Sequence, residues 1–153
     1  MVGKKTKILR IRKNDLDENN FYKNDDIDFD GDIEIDGGLG YVKFGGGIKS
    51  SSHIKIKLGT GIDVKKGIRA GKGICAGKGI RAGKGIRAGE GICAGEGIDA
   101  GTWIRAWEGI KAGTWIRAEK WIRAGEEIVA GEGIRAGEGI KAGKWIRAGK
   151  GES

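Results

Sequence analysis

Over residues 68–151 the chain repeats one pattern of apolar and polar positions, I-x-A-G-x-G, fourteen times without a gap; the first three units read IRAGKG, ICAGKG and IRAGKG. Ile and Ala stand two apart. In a strand, residues i and i+2 face the same side, so Ile and Ala point inward and the residue between them points out. The glycines that follow tolerate positive φ and make a sharp corner after a very short strand. A helix is excluded on two grounds. Two glycines in every hexad cost about 1 kcal/mol each relative to alanine, and a six-residue period does not keep Ile on one helical face.

Short strands and sharp corners at fixed spacing describe a β-solenoid, whose units bury too little alone and build a core by stacking. Two coincidences favour a coil of three hexads: Cys75 and Cys93 share a slot 18 apart, and so do Trp103 and Trp121. A two-sided coil of two hexads is the rival. The three-hexad coil predicts an all-β, three-sided parallel β-helix with three ladders of Ile and Ala at the corners. Each buried Ile contributes on the order of 1.5–3 kcal/mol. The repeat resembles the hexapeptide-repeat, left-handed parallel β-helix family, in which three hexads make one triangular coil. The resemblance covers residues 68–151 closely and 27–66 loosely, and implies left-handed winding. This chain departs from the family in putting Ile first and Ala at the corner.

Upstream the pattern loosens. Residues 1–26 read as a cap, with one strand over residues 7–12 and a polar, turn-rich stretch over 14–24. Residues 27–66 read as irregular first coils. They open with Ile27, Phe29, Ile33 and Ile35 alternating with carboxylates, a half-buried strand pair about Gly31. Val42/Phe44, Ile48/Ser50 and Ile54/Ile56 keep the hexad. Gly45-Gly46-Gly47 and Ser50-Ser51-Ser52 read as corners or a loop, and Ile62 falls eight after Ile54, which places a two-residue insertion near Leu58-Gly59. The regular solenoid is expected over 67–153. No capping segment is legible after the last repeat, so a second copy is expected to cover that coil and make a homo-oligomer.

Composition supports the solenoid. Of 153 residues 32 are Gly and none is Pro, and most of the Gly is periodic, which suits corners rather than disorder. The net charge of +8 hides a dipole: residues 15–36 hold ten acidic and one basic residue (net −9), and the remainder holds 28 basic and 11 acidic (net +17). No apolar run is long enough for a membrane span, and the start lacks the apolar region of a secretory signal. A cytoplasmic setting with Cys75 and Cys93 as free thiols is expected, with no cofactor and no metal centre.

Candidate chemistry lies in the departures from the repeat. The outward slot is basic in ten of fourteen units, and on a three-hexad coil Arg69, Arg87, Arg105, Arg123 and Lys141 form one column. A salt-bridged surface with Glu90, Glu96, Glu108, Glu126, Glu132 and Glu138 at the corners is one reading. A stripe for nucleic acid or an acidic protein is the other. All five Trp fall between residues 103 and 145. Trp103/Arg105, Trp115/Arg117 and Trp121/Arg123 stand at i and i+2, where cation–π stacking is possible, and Trp107 lies nearby. Exposed Trp and Arg together are enriched at binding hot spots, so these seven residues are the candidate partner-binding surface. Asp26, Asp28, Asp30, Asp32, Glu34 and Asp36 form a candidate acidic docking surface. The run D-x-D-x-D-G inside it resembles the start of a calcium loop, but Gly37 stands where the bidentate Glu belongs.

Within the hexapeptide-repeat resemblance, acyltransferases carry a catalytic His and a protruding loop, and carbonic anhydrases need three His. This chain has His53 alone. A non-enzymatic binding protein is therefore expected, with a self-assembling scaffold as the first alternative and an acyltransferase as the second. The GIxAGx repeats also resemble small proteins of phages and mobile elements. That likeness implies an inhibitor of a host defence nucleoprotein complex, of the anti-CRISPR kind, docking through its Trp/Arg and acidic surfaces.

Overall fold

Inward Ile and Ala leave each strand only three to five residues before the next corner, so the chain turns repeatedly and stacks on itself. The computed structural model describes residues 7–22 and 25–149; the start of the expected cap, two positions within it and the end of the last repeat (1–6, 23–24 and 150–153) lie outside them. All sheet pairing between strands is parallel, and the strands form three sheets of eight, seven and six strands. The molecule is a three-sided β-helix, not the two-sided rival. In the regular part each position pairs with the one three hexads on, on every face: Ile80 lies beside Ile98, Ile86 beside Ile104, and Ile92 beside Ile110.

Each corner continues the stacking that the strands begin. The amide of Gly89 donates to the carbonyl of Ala70, and that of Glu90 to Lys72, at 3.1 and 3.0 Å. The corner glycine is required by this close approach. A Cβ at Gly89 would fall on the carbonyl oxygen of Gly71, and the same relation to the coil before recurs at Gly71, Gly83, Gly101, Gly113, Gly131 and Gly143. The core is continuous from Ile11 to Ala130 and consists almost entirely of stacked Ile and Ala. In the last described coil Ile134 and Ile140 are partly buried, while Ile146 is 48% exposed.

Longer register steps mark the irregular coils. Ile27 pairs with Ile48 and Ile33 with Ile54, each 21 apart, whereas Ile48 pairs with Ile68 and Ile54 with Ile74, each 20 apart. Part of the extra chain leaves at one corner, where Leu58 stands 86% exposed and Gly59 has φ +82°. Ser50 and Thr60 are buried beside the apolar core. Their hydroxyls donate to the carbonyls of Gly31 and Asp36.

Two sequence expectations change in detail. Ile27–Phe29 and Asp32–Ile35 do not pair with each other; they lie on successive faces, with the corner at Gly31 (φ +145°) between them. The segment read as a cap contributes a strand to the solenoid itself: Ile8–Ile11 pairs in parallel with Asp32–Ile35. Residues 20–22 close a second sheet by hydrogen bonds with Lys43, and Tyr22 packs on Phe44 with ring centroids 5.8 Å apart. Both devices cover backbone edges that would otherwise invite pairing with other chains.

Candidate anion-binding face

The three faces share one kind of core and carry three different outward columns. One face reads Lys43, Asp63, Arg81, Asp99, Arg117 and Arg135, so charges mostly alternate. A second reads Arg10, Glu34, Lys55, Cys75, Cys93, Lys111, Val129 and Arg147. The third reads Asp28, Lys49, Arg69, Arg87, Arg105, Arg123 and Lys141. It holds six cations in unbroken register. At a strand spacing of about 4.8 Å the six span about 24 Å.

Within this run only Lys49 has a carboxylate in register beside it, Asp28 at the end of the column. None of these cations forms an ion pair within 4.0 Å with a described residue. Three of the six corner glutamates engage other groups. Glu90 lies 3.7 Å from His53, Glu96 accepts from the Tyr41 hydroxyl at 3.1 Å, and Glu126 pairs with Lys144 at 3.6 Å. Like charges stacked at strand spacing repel one another, so a polyanion laid along the column would relieve repulsion as well as gain contacts.

Tryptophan borders this cationic face on both sides. Trp103 and Trp121 stand immediately before the Ile of its strands and stack, with centroids 5.4 Å apart and planes 9° from parallel. The guanidinium of Arg123 lies 5.5 Å from the Trp121 ring centre; the other Trp/Arg pairs expected from sequence make no such contact. Trp107, 65% exposed, lies at the far corner and lines a shallow recess with Arg105, Arg123 and Lys141. Five of the seven expected binding residues therefore gather on one face. Trp115 and Arg117 lie on the alternating face instead. Sequence reasoning missed Lys49, although the two-residue insertion read near Leu58-Gly59 accounts for the 20-residue step that brings it beside Arg69: the column was counted only within the strict repeat.

The six acidic residues of the other candidate surface are divided among faces and corners and are mostly engaged. Asp26 accepts from the amide of Gly47 and lies 3.7 Å from Lys66; the amide first and the cation second hold its carboxyl below the usual range. Asp28 stands beside Lys49, and Asp30 accepts from Ser51 at 2.7 Å. Asp32 is 9% exposed. Burial raises its pKa, but the Ser52 hydroxyl, the His53 amide and Lys55 outweigh this and the carboxyl sits below its ordinary value. Glu34 pairs with Arg10 at 3.4 Å, and Asp36 approaches Lys57 at 4.0 Å.

His53 sits between carboxylates, with Nδ1 3.4 Å from Asp32 and Nε2 3.7 Å from Glu90. It borders a recess of about 350 Å³ that also contains Cys75 and Cys93. Both cysteines are free. The Cys75 thiol is pushed up to about 12 by desolvation and by hydrogen bonding with Cys93. Among the described residues no group of three or more His, Cys, Asp or Glu is placed to hold a metal, and no helix is long and apolar enough to cross a membrane.

No protein-family model matches the chain, and no curated protein or solved structure is significantly similar to it.

Proposed function

We propose that this protein is a non-enzymatic binding module whose working surface is the cationic face with its bordering tryptophans, and that its partner presents a polyanion. One observation carries the reading: six in-register cations without an ion-pair partner among the described residues, on a rigid sheet, next to a stacked indole pair. A single strand of nucleic acid, free or held in a nucleoprotein complex, supplies the matching chemistry of regularly spaced phosphates and stackable rings. Inhibition of a host defence nucleoprotein complex, as the GIxAGx likeness implies, is the proposed biological setting; the cationic face would occupy a site that the nucleic acid or an acidic protein surface presents.

The test is direct titration of a labelled single-stranded oligonucleotide at several salt concentrations. Binding should weaken steeply with salt. It should fall at least tenfold in Arg105→Glu/Arg123→Glu and stay within twofold in Arg117→Glu, which alters the alternating face. Equal affinities in all three proteins would sink the reading.

A further inference from the structure

A groove of about 600 Å³ lies beside the first strands of the cationic face. It is lined by Lys49, Arg69 and Lys84, floored by Gly47 and Gly67, and closed at one end by Trp103; Asp26 and Asp28 line it as well, Asp26 3.7 Å from Lys66 and Asp28 in register beside Lys49. The protein itself shows what such a groove accepts. On the alternating face the equivalent slot is filled by Tyr41 at two steps, its ring lying where Cβ atoms at Gly61 and Gly79 would be, and by Trp115 at the next, over Gly97. Arg81, two positions past Gly79, stands 5.6 Å from the centre of the Tyr41 ring. On the cationic face the indole of Trp103 lies over Gly85 in the same way, with three of its carbons within 2.5–2.7 Å of an added Cβ. Gly67 and Gly47, the next two steps of the column, meet no ring: the nearest atoms are backbone and the Cβ of Lys66. Arg69 and Lys49 stand two positions past them, as Arg81 stands past Gly79.

The geometry points to a nucleotide site in this groove, deepening the polyanion reading on which it rests. A planar heteroaromatic ring would lie over Gly67, continuing the row of Trp121 and Trp103, with its phosphate on Arg69, Lys49 and Lys84. The apolar floor and the three cations, which outnumber the carboxylates of Asp26 and Asp28, select a ligand that is flat at one end and anionic at the other. Adenosine lacks the charge and inorganic phosphate lacks the ring, so neither satisfies both halves of the site. The source of the ring is a free nucleotide or one nucleotide of a strand.

The probes are ADP, adenosine, inorganic phosphate and an oligothymidylate, titrated against the full chain by calorimetry and by Trp emission. The discriminating variant is Gly67→Trp, which is charge-neutral and uses the residue that the chain already carries in this slot at 103 and 121; circular dichroism checks its fold. Arg69→Leu, on the exposed strand surface, is the second variant. ADP should bind at least tenfold more tightly than adenosine or phosphate, quench Trp emission, and lose at least tenfold in each variant. If ADP fails to bind but Gly67→Trp weakens the oligonucleotide at least fivefold, the ring belongs to a strand and the site stands. If the oligonucleotide binds, ADP does not, and Gly67→Trp changes nothing, the groove inference is overturned while the cationic face survives. ADP binding that neither variant alters also overturns it. Failure of both ligands to bind removes both readings.

Discussion

Trp121 lies on Trp103 from one coil to the next, 5.4 Å between centroids and 9° from parallel. Two indoles so close and so nearly parallel should couple optically. Trp121→Ala should remove a near-UV circular-dichroism signal and cost about 0.5–1.5 kcal/mol in denaturant unfolding. Trp115, which has no ring partner among the described residues, should change that signal far less when replaced by Ala.

The cationic column makes the salt dependence of binding countable. Each phosphate neutralised on a single strand contributes roughly −0.7 to the slope of log K against log salt. Successive replacement of Arg87, Arg105 and Arg123 by Gln should flatten the slope stepwise by about that amount. A slope unchanged by all three would mean that the strand lies elsewhere.

Corner glycines should differ sharply by position. A Cβ at Gly89 would strike the Gly71 carbonyl, whereas one at Gly133 meets nothing within 4 Å. Gly89→Ala should cost about 1–3 kcal/mol, the range for overpacking. Gly133→Ala should be neutral or stabilise by up to about 1 kcal/mol, because it restricts the unfolded chain. Thermal melts of the two variants decide it.

Asp32 ties its coil to the next, through Lys55, the amide of His53 and the Ser52 hydroxyl. Folding makes its carboxyl more acidic than the ordinary value of 3.8. Its contribution is therefore present above about pH 4 and is lost as pH falls through the folded value. Asp32→Asn should cost about 1–3 kcal/mol at pH 7, the scale of hydrogen bonds to a charged group, and that deficit should shrink toward pH 3. A pH-independent deficit would assign the effect to packing alone.

Cys75 should be sluggish. With its thiol pushed up to about 12, little thiolate exists at pH 8, and thiolate is the nucleophile. Iodoacetamide should label Cys75 at least tenfold more slowly than free cysteine at pH 8. Cys93→Ser, which removes the neighbouring thiol, should accelerate it. Labelling is read by peptide mass spectrometry.

The core was legible because it is redundant. Every unit repeats Ile and Ala, and two accidents of composition, the Cys pair and the Trp pair 18 apart, revealed the coil length. The faces were less legible wherever register depends on insertions. Lys49 joins the cation column through a longer step than the three hexads of the regular coils, and Tyr41 pairs with Gly61 through the same 20-residue step. A hexad count assigns neither. Compensation was left open by the sequence, as one of two readings. Glutamates recur near the arginines along the chain, but Glu90, Glu96 and Glu126 engage His53, Tyr41 and Lys144, and none of the described glutamates pairs with the column within 4.0 Å.

The constant register of the regular coils has a consequence for how such a surface changes size. Excising or duplicating one whole coil, positions 85–102 for instance, leaves Ile on Ile and Ala on Ala and shortens or lengthens the cationic face by one strand spacing and one charge. Length along the axis behaves as an integer. A partner that reads the face over several coils meets a ruler, and a variant lacking one coil is the same instrument with one graduation fewer.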